Sequence, residues 1–140
     1  MAIKSPKQKG SGGEREVIDL LTVWAAEVGV TLNLERNLEQ TRAGGADING
    51  VEGMEVEVKR VENLVISTAW AQVCRAAERS GKHPFLIHRQ NRKPWRVRTI
   101  VKAAQHIGGA WSLTPLVVNL ELEEAQKWFH AYIRLTYAIN

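Results

Sequence analysis

Apolar and charged residues alternate in one short segment of the chain, MEVEVKR, at residues 54–60. Successive side chains of an extended strand point to opposite faces, so the apolar positions share one face and the charged positions share the other. The apolar positions are Met54, Val56 and Val58, and the charged positions are Glu55, Glu57 and Lys59. The alternation predicts a strand with one face in the core and one polar face.

Helical spacing of apolar residues predicts the first element of the fold. Apolar positions recur at intervals of three and four from Val17 onwards, and Gly29 follows as a stop signal. The segment SGGE fits a capping box, in which the Ser11 hydroxyl caps the helix and Glu14 reaches back to the N–H of the cap. We therefore expect an amphipathic helix that begins at Ser11.

Two further helices are predicted. The second covers about residues 69–80, where Ser67 or Thr68 could cap the start and Gly81 would close the end. The third lies in the C-terminal tail and carries an apolar stripe formed by Leu122, Ala125, Phe129, Tyr132 and Ile133. From the sequence, this stripe could close the core or form a dimer surface.

Strands are expected between the helices. A Gly-rich loop, QTRAGGAD, leads into a strand at Asp47, and a turn near Gly50 precedes the alternating strand. The remaining strands are predicted at residues 30–36, 85–88, 95–100 and 116–120. This order indicates an α/β fold, with a mixed central β-sheet flanked by α-helices.

Length and composition limit the domain organisation. A chain of 140 residues is long enough for one core and too short for two domains of ordinary size. We expect a flexible basic arm at residues 1–10 and a single domain at residues 11–140. Within that domain, residues 103–140 are expected to form a divergent strand and helix.

The basic residues are concentrated in one region. Residues 75–102 contain nine Lys or Arg against one acid, Glu78, so this segment carries a net charge of +8 while the rest of the chain carries −4. Such a region suits a phosphate-backbone partner, although a basic run also occurs on ordinary solvated surfaces. The chain lacks an apolar run of membrane-spanning length and an apolar signal segment, which indicates no membrane partner and a cytoplasmic location. Its one cysteine, Cys74, excludes an intrachain disulfide and a multi-cysteine zinc site.

Two carboxylates and a lysine form the pattern D-x9-E-x-K, made by Asp47, Glu57 and Lys59. Carboxylates brought together on adjacent strands suit Mg²⁺, which takes one or two of them together with water and substrate phosphates. An ammonium beside the ion can orient water and offset charge on a phosphoryl group under attack. Taken alone, an E-x-K pattern is also typical of solvated charges on a strand.

The surrounding motifs make the pattern more specific. The segments KGSGGERE, RAGGADI and EVEVKR make the sequence resemble the PD-(D/E)XK nuclease superfamily, and most closely its archaeal-type Holliday junction resolvases. The resemblance covers roughly two thirds of the chain and implies a restriction-endonuclease-like fold. It places Glu14, Asp47, Glu57 and Lys59 at the catalytic positions. It also implies a metal site formed by Asp47, Glu57, the main-chain carbonyl of Val58, and Glu14.

Other residues are candidates for DNA contact. Arg15 and Arg36 fall where the resembled family has basic residues that engage DNA, and the other candidates follow from local charge. The full set is Lys9, Arg15, Arg36, Arg42, Arg92, Lys93 and Arg96. Trp95 could stack on a base or pack in the core, and Gln72 could approach the site or simply be an exposed helical residue.

Each catalytic assignment has an alternative. Glu14 could serve only the capping box, and Glu55 shares the face of Glu57 and could be the ligand in its place. Only Glu57 has a lysine at the required offset. Asp47 could be a turn residue, although Asn49–Gly50 already serves that turn.

The resemblance implies a Mg²⁺-dependent endonuclease, with Mn²⁺ able to substitute, that resolves four-way DNA junctions. Paired cuts on opposing strands would need two identical sites, so we expect a homodimer. Alternatives are a nicking or repair endonuclease of the same superfamily acting on flap or linear DNA, and a non-catalytic DNA-binding module. The small size and divergent tail would suit a phage-encoded protein, which would act in the host cytoplasm.

Overall fold

The computed structural model describes residues 6–38, 46–61 and 65–138, with the side chains of 6–11 and 61 excepted. Three helices and six strands lie in these ranges. In chain order they are α1 (Pro6–Glu27), β1 (Glu35–Arg36), β2 (Ile48–Asn49), β3 (Met54–Val61), α2 (Ile66–Ser80), β4 (His83–Gln90), β5 (Arg96–Ile107), β6 (Ala110–Leu120) and α3 (Leu122–Thr136). None of these helices is long and apolar enough to cross a membrane.

The strands form one sheet in the order β1-β2-β3-β4-β5-β6. Strands β3 and β4 are parallel, and every other neighbouring pair is antiparallel. Helix α2 supplies the crossover that a parallel pair requires. The predicted α/β fold with a mixed central sheet and flanking helices is therefore confirmed.

The main core lies between one face of the sheet and helices α1 and α3. Val56 of β3, Phe85 of β4 and Leu21 of α1 are fully buried in it. Helix α2 covers the opposite face with a smaller cluster in which Val73 packs with Leu86. The alternation in residues 54–60 thus predicts the core face correctly, whereas the charged face is partly covered by a helix.

The apolar stripe of α3 belongs to the core. Ala125, Phe129 and Ile133 are each fully buried, and Phe129 contacts the rings of Trp24 and Phe85. The stripe therefore closes the core, and the alternative of a dimer surface at these positions is wrong.

Both predicted helix starts are wrong. Helix α1 begins at Pro6, so Ser11 lies inside the helix. Residues 6–10 are helical, in contrast to the flexible arm expected there. Residues 1–5 of that arm lie outside the described ranges. Helix α2 begins after Val65 with no side-chain cap, so neither Ser67 nor Thr68 caps it. Its predicted end is confirmed: Gly81 adopts a left-handed φ of 72° and its N–H bonds to the carbonyl of Ala77.

Two predicted strands differ in length from those observed. Of residues 30–36, the structure pairs only Glu35 and Arg36 with a neighbouring strand, while Val30 and Leu32 are buried in the core. In the tail, β6 starts at Ala110 and pairs along its whole length with an equally long β5. The result is a long hairpin where a short strand was expected.

Candidate active site

Asp47 is held rigidly at the start of β2. Its N–H donates to the carbonyl of Val56 at 2.8 Å, and its Oδ2 accepts a 2.7 Å hydrogen bond from the N–H of Val58. The residue is 4% exposed. These two bonds fix the carboxylate against the middle of β3, beside the charged face of that strand.

Glu57 faces Asp47 from β3. Burial, the Asp47 carboxylate and, to a smaller extent, Glu14 raise the pKa of Glu57 to about 8, while Lys59 acts in the opposite direction. A hydrogen bond with Asp47 contributes to the same rise, because it favours the protonated form. The Nζ of Lys59 lies 3.9 Å from Oε1 of Glu57. The structure thus brings Asp47, Glu57 and Lys59 into one cluster.

Glu14 approaches this cluster from α1. Its Oε2 accepts a 2.7 Å charge-assisted hydrogen bond from Nε of Arg36, and both side chains are partly buried. This ion pair joins α1 to β1 next to Asp47. Because α1 begins well before Ser11, Glu14 has no role at the start of the helix, and the capping-box alternative is wrong.

A row of polar side chains continues from Lys59 across the sheet. In the strand register Lys59 is beside His88, and His88 is beside Arg96. His88 is 3% exposed, and its Nε2 has no hydrogen-bond partner among the described residues. Burial first, and then the charges of Arg96 and Arg98, lower the pKa of His88 to about 4. A neutral imidazole therefore lies next to Lys59 at neutral pH.

A second charged cluster holds α1 on the other face of the sheet. Glu16 accepts hydrogen bonds from Arg60 at 2.9 Å and from Arg89 at 3.3 Å. The guanidinium of Arg89 also lies 5.3 Å from the ring centroid of Trp95. A Cβ on Gly13 would stand only 3.2 Å from Cβ of Arg60, so glycine allows the helix to approach the strand this closely. This contact fixes the helical turn that carries Glu14.

Comparison with a protein-family model identifies the family. The model of the phage PDDEXK endonucleases matches residues 5–133, which is nearly the whole chain. The chain belongs to this family. The match includes the β5–β6 hairpin and most of α3, the part of the tail that has no counterpart in the resemblance to archaeal resolvases. The chain is therefore a DNA endonuclease, and the suspected membership of the PD-(D/E)XK superfamily is confirmed.

The endonuclease also resembles a solved structure, that of Hjc, a Holliday junction resolvase from the archaeal hyperthermophile Archaeoglobus fulgidus. The two are 18% identical with a TM-score of 0.51, and the similarity covers 83% of this chain and 97% of Hjc. At this identity the likeness establishes a shared fold. A search of curated proteins found no match to the chain.

Nucleases of this superfamily generally use divalent metals, and the donor set of the endonuclease fits such an ion. Within the described side chains, no three carboxylate, imidazole or thiolate groups converge closely enough to hold a metal. Asp47 and Glu57 supply two carboxylates, and Glu14, paired with Arg36, does not complete a third. Two carboxylates leave room for a carbonyl oxygen, water and a substrate phosphate, which is the coordination that Mg²⁺ prefers.

The alternatives for the strand carboxylate are distinguished by geometry. Glu57 shares a hydrogen bond with Asp47 and pairs with Lys59, whereas Glu55 is 5% exposed and beside Pro84 in the register. One oxygen of Glu55 lacks a partner among the described residues. Glu57, and not Glu55, therefore lies in the cluster with Asp47 and Lys59, and its role as a metal ligand stays a prediction.

The candidate DNA contacts lie at several places. Arg15 is exposed on α1, and Arg92 and Lys93 are exposed in the turn between β4 and β5, at the end of the sheet near Lys59. Arg96 is half-exposed and pairs with Glu121 at 3.3 Å. The side chains of Lys9 and Arg42 lie outside the described residues. A role of these residues in DNA binding stays a prediction.

The other two candidates, Trp95 and Gln72, have ordinary structural positions. Some residues near the site, in contrast, carry no signal in the sequence. Trp95 is 7% exposed and belongs to the core, and Gln72 is exposed on α2. His88 and Arg98 cannot be found from the sequence because only strand register brings them near Lys59. Glu16 cannot be found because only the packing of α1 on the sheet brings Arg60 and Arg89 to it. The separation of 29 residues between Lys59 and His88 carries no motif from which their contact could be found.

Proposed function

We propose that this endonuclease cuts four-way DNA junctions by metal-dependent hydrolysis, with Mg²⁺ as the working ion and Mn²⁺ able to substitute. The observation that carries the proposal is the convergence of Asp47, Glu57 and Lys59 at the charged face of β3. The shared fold with Hjc, which is a Holliday junction resolvase, supports a branched substrate. The surplus of cations in residues 75–102 supports a phosphate-backbone partner.

Each residue of the site would have a separate role in hydrolysis. Asp47 and Glu57, with the main-chain carbonyl of Val58, would hold the divalent ion, which supplies Lewis acidity to the scissile phosphate when bound. Lys59 would donate a hydrogen bond to the attacking water and offset charge on the phosphoryl oxygens. Glu14 would contribute through its charge at Glu57 and its pairing with Arg36. Because Glu57 tends to hold a proton in the metal-free protein, ion binding and loss of that proton would be coupled.

Junction resolution adds a requirement for symmetry. Two opposing strands must be cut, and two identical sites related by a two-fold axis would cut both, so we propose a homodimer as the active form. Recognition would depend on the shape of the branched DNA and on phosphate contacts. The cytoplasmic location expected from the sequence, the host's for a phage-encoded protein, stays a prediction.

The test compares four-way, flap and linear DNA of the same sequence, each incubated with the purified endonuclease and Mg²⁺. The proposal expects paired, symmetrical cuts in the four-way junction and little cutting of linear DNA. Preferential cutting of flaps or of linear DNA would replace junction resolution with a nicking or repair activity. Binding without cutting of any substrate, in Mg²⁺ or in Mn²⁺, would contradict the hydrolytic mechanism.

A further inference from the structure

His88 is a buried polar residue that the proposed mechanism leaves unused. It lies on β4, and the register places it directly beside Lys59, so it shares the face of the sheet that carries Glu57 and Lys59. The residue is 3% exposed, and its Nε2 atom has no hydrogen-bond partner among the described residues. A buried polar atom without a partner destabilises a fold, so such an atom in a native structure needs an explanation.

Helix α2 packs on this face of β4. Leu86, two residues before His88 on the same face, packs against Ala69 and Val73 of the helix. Because His88 is almost fully buried, it offers DNA no surface to contact. The side chain of Lys59, in contrast, is 38% exposed. Any role of His88 in the reaction would therefore act through Lys59.

Two arginines of β5 lie near His88 and already have partners. Nη2 of Arg96 lies 3.3 Å from Oε1 of Glu121, and Nε of Arg98 donates a 2.8 Å hydrogen bond to Oδ1 of Asn119. Burial first, and then the charges of these arginines, lower the pKa of His88 and keep the ring neutral. An N–H at Nε2 would be a buried donor among other donors, whereas a lone pair there could accept from one of them. The lone pair is therefore assigned to Nε2.

Lys59 is the donor that matches this lone pair. Its Nζ lies 3.9 Å from Oε1 of Glu57, which is an ion-pair distance beyond hydrogen-bond length, so that contact uses none of its three N–H donors. Neighbouring strands lie about 4.8 Å apart, so a change of the Lys59 rotamer can bring the ammonium to Nε2 of His88. The bond would give the buried nitrogen its missing partner.

We propose that His88 is a positioning residue, whose Nε2 accepts a hydrogen bond from the Lys59 ammonium and holds it at the site when Glu57 binds a divalent ion. The inference rests on the proposed function, in which Lys59 orients the attacking water. With an ion on Asp47 and Glu57, the negative charge of the two carboxylates is neutralised, and they no longer attract the ammonium. A separate acceptor on the neighbouring strand keeps Lys59 in place.

A neutral acceptor suits this task. A carboxylate at position 88 would hold the ammonium in a strong ion pair and compete with water and phosphate for its N–H donors. A charged imidazolium would repel it. One bond to a neutral imidazole leaves two N–H groups of Lys59, one for the attacking water and one for a phosphoryl oxygen.

The first measurement is ¹⁵N NMR of the histidine rings in the full chain, without DNA and with Mg²⁺ as the probe. The signal of His88 is assigned by its loss in His88→Gln. Adding Mg²⁺ to the wild type should move Nε2 of His88 from the shift of a free lone pair towards that of a hydrogen-bonded, unprotonated nitrogen. The change should be absent in Lys59→Met, which has a long flexible side chain without an N–H. An unmoved Nε2 in a chain that binds Mg²⁺ by calorimetry, or the same change in Lys59→Met, would overturn the inference.

The second measurement compares kcat and KM of two His88 variants on the DNA that the wild type cuts. His88→Leu removes the acceptor and should lower kcat by up to about 100-fold, the cost of misplacing a reacting group by about 1 Å, with KM little changed. His88→Gln keeps an acceptor and should retain most of the rate. A merely structural role predicts the reverse order, because leucine suits a buried site better than glutamine.

His106→Leu is the matched control, because His106 is exposed on β5 and its loss should leave kcat unchanged. A wild-type kcat for His88→Leu, or a slower His88→Gln than His88→Leu, would overturn the inference. If the wild type cuts no DNA, the proposed function fails, while the NMR measurement still decides whether His88 and Lys59 form their bond. Failure of the inference can therefore be distinguished from failure of the proposed function.

Discussion

Replacing Glu57 with glutamine should change how the stability of the metal-free endonuclease depends on pH. In the folded chain the pKa of Glu57 is raised to about 8, from an ordinary value of 4.5. Between these values the unfolded chain releases the proton while the folded chain keeps it. The free energy of unfolding therefore falls as pH rises through this window, and the loss is complete only above about pH 8.

The size of the effect follows from the same values. The slope is at most about 1.4 kcal/mol per pH unit, so the wild type should lose up to about 4 kcal/mol between pH 5 and pH 8 from this group. Glu57→Gln cannot ionise and escapes the loss. Relative to the wild type, the variant should therefore become more stable by up to that amount as pH rises.

The assay is denaturation by urea at several pH values, with a chelator present to remove divalent ions. Comparing each variant with the wild type at the same pH cancels the other titrating groups. Glu123→Gln is the control. The side chain of Glu123 is 81% exposed on α3, and the substitution removes the same charge as Glu57→Gln. Parallel stability curves for the wild type and Glu57→Gln would refute the account of a carboxylate forced towards its neutral form by burial and Asp47.

Three other predictions address the ion, the core and the DNA contacts. Binding of Mg²⁺ at pH 7 should release protons, because the ion needs an ionised Glu57; titration calorimetry in buffers of different ionisation enthalpy should give different heats, and equal heats would contradict this. Phe129→Ala should lower the free energy of unfolding by about 3–5 kcal/mol, whereas Leu135→Ala should be nearly neutral; a small effect at Phe129 would contradict its place in the core. Arg92→Gln and Lys93→Gln should each reduce the slope of log K against log salt by about 1 in gel-shift assays, and an unchanged slope would remove that residue from the DNA contacts.

The sequence predicts those parts of the fold whose signals are local. Alternation in residues 54–60 is sufficient to find β3 and its core face, and the spacing of Ala125, Phe129 and Ile133 is sufficient to find α3. Gly81 marks the end of α2 because few other residues adopt its left-handed conformation at low cost. In each case the local pattern predicts the element without any information about contacts with distant parts of the chain.

The errors arise where local signals compete with packing. The capping box at Ser11 is a valid local start signal, yet α1 continues back to Pro6, and this part of the helix includes Gly10. Ser67 and Thr68 are good caps that the chain does not use, because α2 starts at Ile66. Propensity and capping preferences amount to only about 1 kcal/mol, so tertiary contacts can override them.

The candidate site also combines residues that local motifs predict with residues that only the packing of the chain brings together. The resemblance of three short motifs points to Asp47, Glu57 and Lys59, and the structure brings these side chains together. Strand register then adds His88 beside Lys59, a contact that cannot be found before the parallel pairing of β3 with β4 is known. The Glu16 cluster that holds α1 likewise depends on packing between elements far apart in the chain.

Cleavage of a four-way junction by Asp47→Asn tests the central claim most directly. An asparagine oxygen can still accept the hydrogen bond from the N–H of Val58, so the variant keeps the local structure while losing the charge that would hold the ion. With Mg²⁺ present, the wild type should cut the junction, and Asp47→Asn should bind it in gel-shift assays with similar affinity and leave it uncut. Cutting by Asp47→Asn at the wild-type rate would contradict an active site built on Asp47, Glu57 and Lys59.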